Sequence, residues 1–438
     1  MMAAQTPKPC DLLISTLRGF LQALPTPSRL LVAVSGGSDS KGLLIALHEL
    51  LQDSSHLAVT LAAATIDHGL RPESAQEARE VKGLCTKLGI AHVTSRWDEP
   101  KPKTGISSAA RNARYRLLSE AATSLKADII VTGHTADDQA ETIAMRQSRN
   151  ADDAALGLSG MADHMLYRNR IWIYRPLLTC HRQMIRDFLT ARGMGWVDDP
   201  SNSNPHYERA RVRLELTESV RPALPSQHDR LTLSTQAASL IERYARVPAS
   251  GVVELDAAVF DSPQPVLRHA SQAMLATLGG QSHGPADQSL ARLLALLAQA
   301  NGSRITLGRC LVHRSRAGLF LVREARGLKT ITLAAGEAAV WDGRWHIHNP
   351  SLGALQVSPT GTTGKEALED TSAVPASLAA LGRHSMPQLQ YPHLQISAEV
   401  QCHRLISPYC TFLPGFDWPL AHALALLFGA KPFFLPYF

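Results

Sequence analysis

The sequence predicts an α/β protein, with a doubly wound parallel sheet at its N-terminal end, a helical region after it and a small mixed α/β part last. Three observations carry this expectation. Short β-type runs alternate with amphipathic helical stretches between residues 30 and 132. A glycine-rich hexad separates the first strand from the next helix, and after Asn301 the texture changes to short alternating runs set off by turn residues.

Leu13, Leu17, Phe20, Leu21 and Leu24 recur at helical spacing and predict a first helix rather than a signal-peptide core. A strand follows at Leu30 to Val34, then a helix with Leu43, Leu47, Leu50 and Leu51 on one face. The alternation continues with a strand at Val59 to Ile66, a helix around Ser74 to Leu88, a strand at His92 to Arg96, a helix around Ser107 to Ser124 and a strand at Ile129 to Thr132. Such alternation implies parallel strands covered on both faces, with the ligand beyond their carboxyl ends. Ser35, Asp67 and Gly133 all follow strand ends, so residues distant in sequence are expected to meet at one edge.

Arg182 to Arg246 reads as helical and arginine-rich, and Val253 to Ala300 again shows helical spacing. Arg304 to Glu324 reads as two strands around the turn Ser315-Arg316-Ala317-Gly318, and Ala339 to His348 as another pair turning at Asp342-Gly343. Ser351 to Ala380 reads as a loop or linker. The expected division is an N-terminal doubly wound domain over 1–215, a helical connector over 216–300, and a C-terminal mixed region over 301–438.

A hydrophobic content of 45% with 19% charged residues suits a globular chain and argues against disorder. The net charge of +6 leans toward an anionic partner. Arginines crowd the segment from Arg168 to Arg246, whose planar forks suit phosphate, although interspersed carboxylates leave a salt-bridged surface as the other reading. Six scattered cysteines form no C-x-x-C pair, which fits a reducing cytoplasmic setting without a cysteine-held metal. The apolar stretch Leu420 to Ala430 is too short to span a bilayer, so no membrane partner is expected.

The sharpest chemical signal is Ser35-Gly36-Gly37-Ser38-Asp39-Ser40. Two glycines let the backbone approach a ligand closely, and N–H groups at a helix start point at an anion, which together make a phosphate cradle. The hexad has neither the Walker spacing nor G-x-G-x-x-G. A second motif, Gly133-His134-Thr135-Ala136-Asp137-Asp138-Gln139-Ala140-Glu141-Thr142, places Asp137 and Glu141 four apart on one helical face. Paired carboxylates there suit magnesium, an amine proton or an incoming cationic substrate; for Asp-Asp alone, a helix N-terminus that favours acidic residues is the better account.

SGGSDS resembles the pyrophosphate-binding loop of the ATP pyrophosphatases, and GHTADDQAET resembles the tRNA-modifying branch of that superfamily. Asp67-His68-Gly69-Leu70-Arg71-Pro72-Glu73-Ser74, Ala110-Arg111-Asn112-Ala113-Arg114-Tyr115, Arg175-Pro176-Leu177-Leu178 and Trp196-Val197-Asp198-Asp199-Pro200-Ser201-Asn202 resemble, in this order, segments of lysidine synthetases. The likeness is close from Leu31 to Arg213; Arg146 to Asp153 departs from the family's glycine-containing loop, and Ala210 stands where the family usually has asparagine.

The resemblance implies an adenine nucleotide α-hydrolase-like fold and a two-step reaction on the wobble cytidine of an isoleucine tRNA. It places ATP on Ser35 to Ser40 with Asp67, His68, Gly133 and His134 nearby, and magnesium at Asp39. It assigns catalysis to Asp39, Arg111, Asp137 and Glu141, and free L-lysine and tRNA to Arg111, Arg114, Asp137, Asp138, Glu141, Arg209, Arg211 and Arg213. It leaves a homodimer open. A 2-thiocytidine thiolase would call for cysteine pairs, an amidotransferase for a nucleophilic cysteine motif, and a pure RNA-binding module would have no use for a pyrophosphate cradle facing carboxylates.

Overall fold

The computed structural model describes residues 9–54, 57–69, 73–149, 159–198, 211–212, 227–360, 374–391 and 400–438. They form two compact units, Met1–Gln227 with Phe434–Phe438, and His228–Phe433. Among the described residues no helix is long and apolar enough to cross a membrane.

The first unit is built on β1 (Ser28–Ala33), β2 (Val59–Asp67), β3 (Ala91–Arg96), β4 (Ile129–Thr132), β5 (His164–Tyr167) and β6 (Ile171–Tyr174), in the spatial order β5-β6-β4-β1-β2-β3. The pairs β1–β2, β1–β4, β2–β3 and β4–β6 are parallel and β5–β6 is antiparallel. All four residues of β4 are buried, as are Leu30, Leu31 and Val32 of β1, because helices cover both faces of the sheet. Those helices are α1 (Pro9–Ala23), α2 (Ser38–Asp53), α3 (Ser74–Lys87), α4 (Ile106–Ser124), α5 (Ala136–Arg149) and α6 (Arg182–Thr190).

The β5–β6 hairpin was hidden in the sequence by its arginines. Arg168 and Asn169 both take φ +48°, and the Arg170 N–H donates to the Tyr167 carbonyl at 2.9 Å, which is the primed turn that suits a hairpin's twist. The last residues of the chain lie on this hairpin. The Trp172 indole donates to the Leu435 carbonyl at 2.9 Å, the Tyr437 N–H donates to the Tyr174 hydroxyl at 3.1 Å, and the Phe438 ring sits 4.8 Å from that of Tyr174.

The second unit has a five-stranded antiparallel sheet and two three-stranded ones. Val252–Asp256 is a strand, not the helix its spacing suggests: pairing with Gly318–Arg323 buries Val252, Val253, Glu254 and Leu255. The helices expected beyond it form at Gln264–Gly279 and Asp287–Leu297. Arg304 to Glu324 yields three strands rather than two, Arg304–Leu307, Cys310–Ser315 and Gly318–Arg323. Asp342-Gly343 makes the expected tight turn, with φ +52° and +69°. The expected linker contains a strand, Leu355–Pro359, and a helix, Ala376–His384; residues 361–373 lie outside the described ones.

Inside this unit, Arg230 makes a double hydrogen bond to Asp417, each branch 3.0 Å, and Ser234 donates to the same carboxylate at 2.6 Å. His269 is buried beside them, its Nε2 3.7 Å from Asp417.

Candidate active site

The chain leaves β1 into Ser35–Gly37 and turns at once into α2. Gly36 takes φ +81°, a conformation that a Cβ would strain, and Gly37 caps the helix with extended backbone. The loop is braced from within. The Ser35 N–H donates to Ser40 Oγ at 3.0 Å, and Ser40 Oγ donates to the Gly37 carbonyl at 3.3 Å. The segment after α6 braces it from outside: the Val197 N–H donates to the Gly36 carbonyl at 3.1 Å, and Lys41 Nζ donates to the Gly195 carbonyl at 2.5 Å. Gly195 and Val197 thus serve the loop and its helix through their backbone. The loop and the first turn of α2 therefore form a fixed cradle with the positive end of a helix dipole behind it.

Gly133 follows β4 and lies against that cradle. A Cβ there would come within 2.8 Å of the Asp39 carbonyl carbon and oxygen and 2.9 Å of the Ser40 nitrogen, so only glycine lets the end of β4 approach the first turn of α2 this closely. His134 turns back to the Thr132 hydroxyl, 2.9 Å from Nδ1. α5 then begins with a capping box. The Thr135 N–H and hydroxyl donate to Asp138 Oδ2 at 2.8 and 3.0 Å. The acidic pair is therefore partly explained by helix capping, yet Asp138 Oδ1 remains directed at a second partner.

That partner is Arg182, the first residue of α6. Its Nε donates to Asp39 Oδ2 at 2.8 Å, its Nη2 donates to Asp138 Oδ1 at 3.1 Å, and its Nη1 lies 3.7 Å from Glu141 Oε1. Its backbone N–H donates to Asp137 Oδ2 at 2.8 Å, and His181 Nδ1 is 3.5 Å from the same oxygen. Burial pushes the Asp39 carboxyl above its ordinary pKa, and Arg182 offsets this only in part. Burial also opposes the charge on Arg182, but Asp39 and Asp138 outweigh it and hold the guanidinium above its ordinary value. The four carboxylates singled out in the sequence, Asp39, Asp137, Asp138 and Glu141, thus meet around one arginine that the sequence marks only as a member of the arginine-rich run from Arg168 to Arg246.

At the end of β2, burial works against ionisation of Asp67, but donors from the Ser74 hydroxyl and the Gly69 N–H, both to Oδ1, hold its carboxyl below the usual range. Burial first, then the Arg114 charge, pushes His68 down to about 4, so its ring is neutral at physiological pH. Arg111 and Arg114 lie on the exposed side of α4, with Arg111 4.9 Å over the Tyr115 ring. Arg211 is exposed, whereas Arg209 and Arg213 lie outside the described residues.

The wider arginine run is not one phosphate-facing surface. Arg175 is buried and donates to the Ala162 carbonyl, Arg186 pairs with Asp198, Arg192 with Glu49, Arg230 with Asp417 and Arg246 with Glu254. Only Asp198 among these partners is interspersed in the run itself; Glu49, Glu254 and Asp417 come from outside it, and Arg175 is held by a backbone carbonyl.

Among the described residues no cluster of three or more His, Cys, Asp or Glu side chains is arranged to hold a metal. The donor chemistry nonetheless suits a hard cation that is shared with a phosphate. Magnesium is commonly held by one or two carboxylates plus substrate oxygens, and Asp39 presents a carboxylate in the first turn behind the phosphate cradle.

A family model described as a PP-loop domain matches residues 13–220. The chain is 42% identical over 434 residues to a tRNA(Ile)-lysidine synthase of Rhizobium meliloti, covering 95% of each protein. It is 42% identical over 425 residues to that of Mesorhizobium japonicum, covering 91% of this chain and 92% of the relative, and 36% identical over 430 residues to that of Brucella canis, covering 91% and 94%. With the phosphate loop, the acidic helix and near full-length identity all agreeing, the chain belongs to the tRNA(Ile)-lysidine synthase family.

Proposed function

We propose that this chain ligates free L-lysine to the wobble cytidine of a tRNA(Ile) anticodon in the cytoplasm, consuming ATP and releasing AMP and diphosphate. The observation that carries the reading is the meeting of the phosphate-loop helix and the acidic helix at one sheet edge, where Asp39, Asp138 and Glu141 all reach one guanidinium.

In the first step the cytosine O2 attacks the α-phosphorus of ATP, and the bond to diphosphate breaks. The backbone of Ser35 to Ser40 cradles the phosphates, and Gly133 lets the end of β4 pack against the first turn of α2 without displacing it. Asp39 would hold magnesium, which supplies positive charge at the departing diphosphate. In the second step the lysine ε-amine attacks C2, the C2–O bond breaks, and AMP departs with that oxygen. An ammonium with an ordinary pKa of about 10.4 must first lose a proton, and Asp137 and Glu141 are the acceptors on this helix. Arg111 and Arg114 bind the lysine carboxylate or phosphate, and Arg209, Arg211 and Arg213 bind the tRNA backbone.

The test is mass spectrometry of a cytidine-bearing tRNA(Ile) transcript after incubation with the protein, ATP, magnesium and lysine. The expected product carries one lysine less one water at the wobble position. Diphosphate release without a lysine-dependent product, or thiocytidine with a sulfur donor, would replace this reading.

A further inference from the structure

Arg182 stands where elementary electrostatics disfavours it. The first turn of a helix carries the positive end of its dipole, and α6 has no acidic residue there. Its guanidinium is also mostly buried, the side chain only 18% exposed. Such a charge persists only with strong partners, and each of its three nitrogens is directed at a different carboxylate: Nε at Asp39 on α2, Nη2 at Asp138 and Nη1 at Glu141 on α5. The residue's main chain holds the fourth carboxylate, Asp137, through its N–H.

We propose that Arg182 is a positioning residue for both steps of the reaction: one planar cation sets the phosphate-loop carboxylate and the acidic face of α5 relative to each other. The inference rests on the ligase reading above and adds a residue to it. A planar guanidinium presents donors in fixed directions and can hold carboxylates from two helices simultaneously. A lysine ammonium at the same place is a point charge on a flexible stem and would satisfy one side at the expense of the other. With Arg182 in place, Asp39 stays beside the phosphate cradle while Glu141 and Asp137 keep their spacing for the amine. Without it, adenylation and amine attack are both misaligned although each substrate still binds.

The experiment compares Arg182→Gln, Arg182→Lys and Arg182→Ala with the unaltered protein in tRNA-dependent diphosphate release and in lysine incorporation, with circular dichroism on every sample. Arg182→Gln is expected to lower kcat in both assays about 100-fold while KM for ATP and for lysine changes by less than about threefold. Arg182→Lys is expected to recover less than about a tenth of the lost rate, and added guanidinium ion to restore activity to Arg182→Ala where ammonium at equal ionic strength does not. If Arg182→Gln does not fold, a folded Arg182→Lys decides the matter. Full activity in the lysine variant, rates for Arg182→Gln within about threefold of the unaltered protein, or a defect confined to KM for ATP overturns the proposal. The unaltered protein separates the two questions, since its failure to form a lysine-dependent product refutes the ligase reading, whereas its success with insensitive variants refutes only the role of Arg182.

Discussion

Arg182 Nε donates to Asp39 Oδ2 at 2.8 Å, a bond that ties the helix after the phosphate loop to the helix that follows the R-P-L-L segment. Asp39 thereby belongs to two systems, the Ser35–Ser40 cradle at the start of α2 through its backbone and the acidic cluster through its side chain. Changes at the cradle and changes at the acidic helix are therefore expected to have separable signatures.

Gly133→Ala tests the close approach of the end of β4 to the first turn of α2. A Cβ would press on the backbone of Asp39 and Ser40, which cannot rotate away as a side chain can. We expect a loss of about 1–3 kcal/mol in stability and a fall in diphosphate release. A urea midpoint and a turnover rate both unchanged would show that the strand end yields without disturbing the cradle.

Gly37→Val and Asp39→Ala address the cradle itself. The Cβ position at Gly37 meets only ordinary van der Waals neighbours, Ser35 Oγ at 3.7 Å and the Val197 carbonyl at 3.9 Å, so the fold should survive. The branched side chain would instead obstruct phosphate, and ATP consumption should be lost. Diphosphate release and circular dichroism measured together decide it, and normal turnover in either variant removes the loop from the active site.

The second unit should weaken in acid in two stages. Burial lowers the His269 pKa, so stability is complete above about pH 6.5 and falls as pH drops below that value, where the unfolded chain binds a proton that the folded one resists. Burial alone would raise Asp417, but Arg230 and His269 hold it far below the usual carboxylate range; its contribution is complete above about pH 4 and declines below that. Hydrogen exchange of the second unit between pH 8 and pH 3 should show both limbs, with His269→Gln removing the upper one. Asp417→Asn, which leaves Arg230 without its ion-pair partner, should cost about 3–5 kcal/mol at neutral pH.

Cysteine should be dispensable for chemistry. Cys85, Cys180 and Cys310 are buried, and burial raises each thiol's pKa, with Cys85 pushed up to about 11 and Cys310 to about 12, the opposite of nucleophile activation. A soluble variant with alanine at these three positions and serine at Cys10, Cys402 and Cys410 should still form lysidine. Loss of lysine incorporation in that variant, with the fold intact, would favour sulfur chemistry.

Replacing Arg209, Arg211 and Arg213 together by glutamine should weaken tRNA binding and reduce the salt slope by about one unit for each phosphate no longer neutralised, leaving ATP affinity unaltered. The measurement is the tRNA dissociation constant across a salt series beside ATP binding. A parallel loss of ATP binding would mark these arginines as structural.

The sequence by itself determined what repeats locally. Apolar runs alternating with amphipathic stretches set β1 to β4 and the helices between them, because strand and helix periodicities are properties of consecutive residues. Ser35 to Ser40 and Gly133 to Thr142 were legible for a similar reason, since each motif is contiguous and its residue types are demanded by backbone approach and helix capping. Tertiary structure alone decided the rest. Val252–Asp256 became a strand because Gly318–Arg323 pairs with it, and β5–β6 because two non-glycine residues accept positive φ. No local pattern distinguishes Arg182, which enters a carboxylate cluster, from Arg186 or Arg192, which meet single carboxylates at exposed positions. What a charge does depends on the charges that folding brings within a few ångströms of it, and for Arg182 those come from Asp39, Asp138 and Glu141, on two other helices.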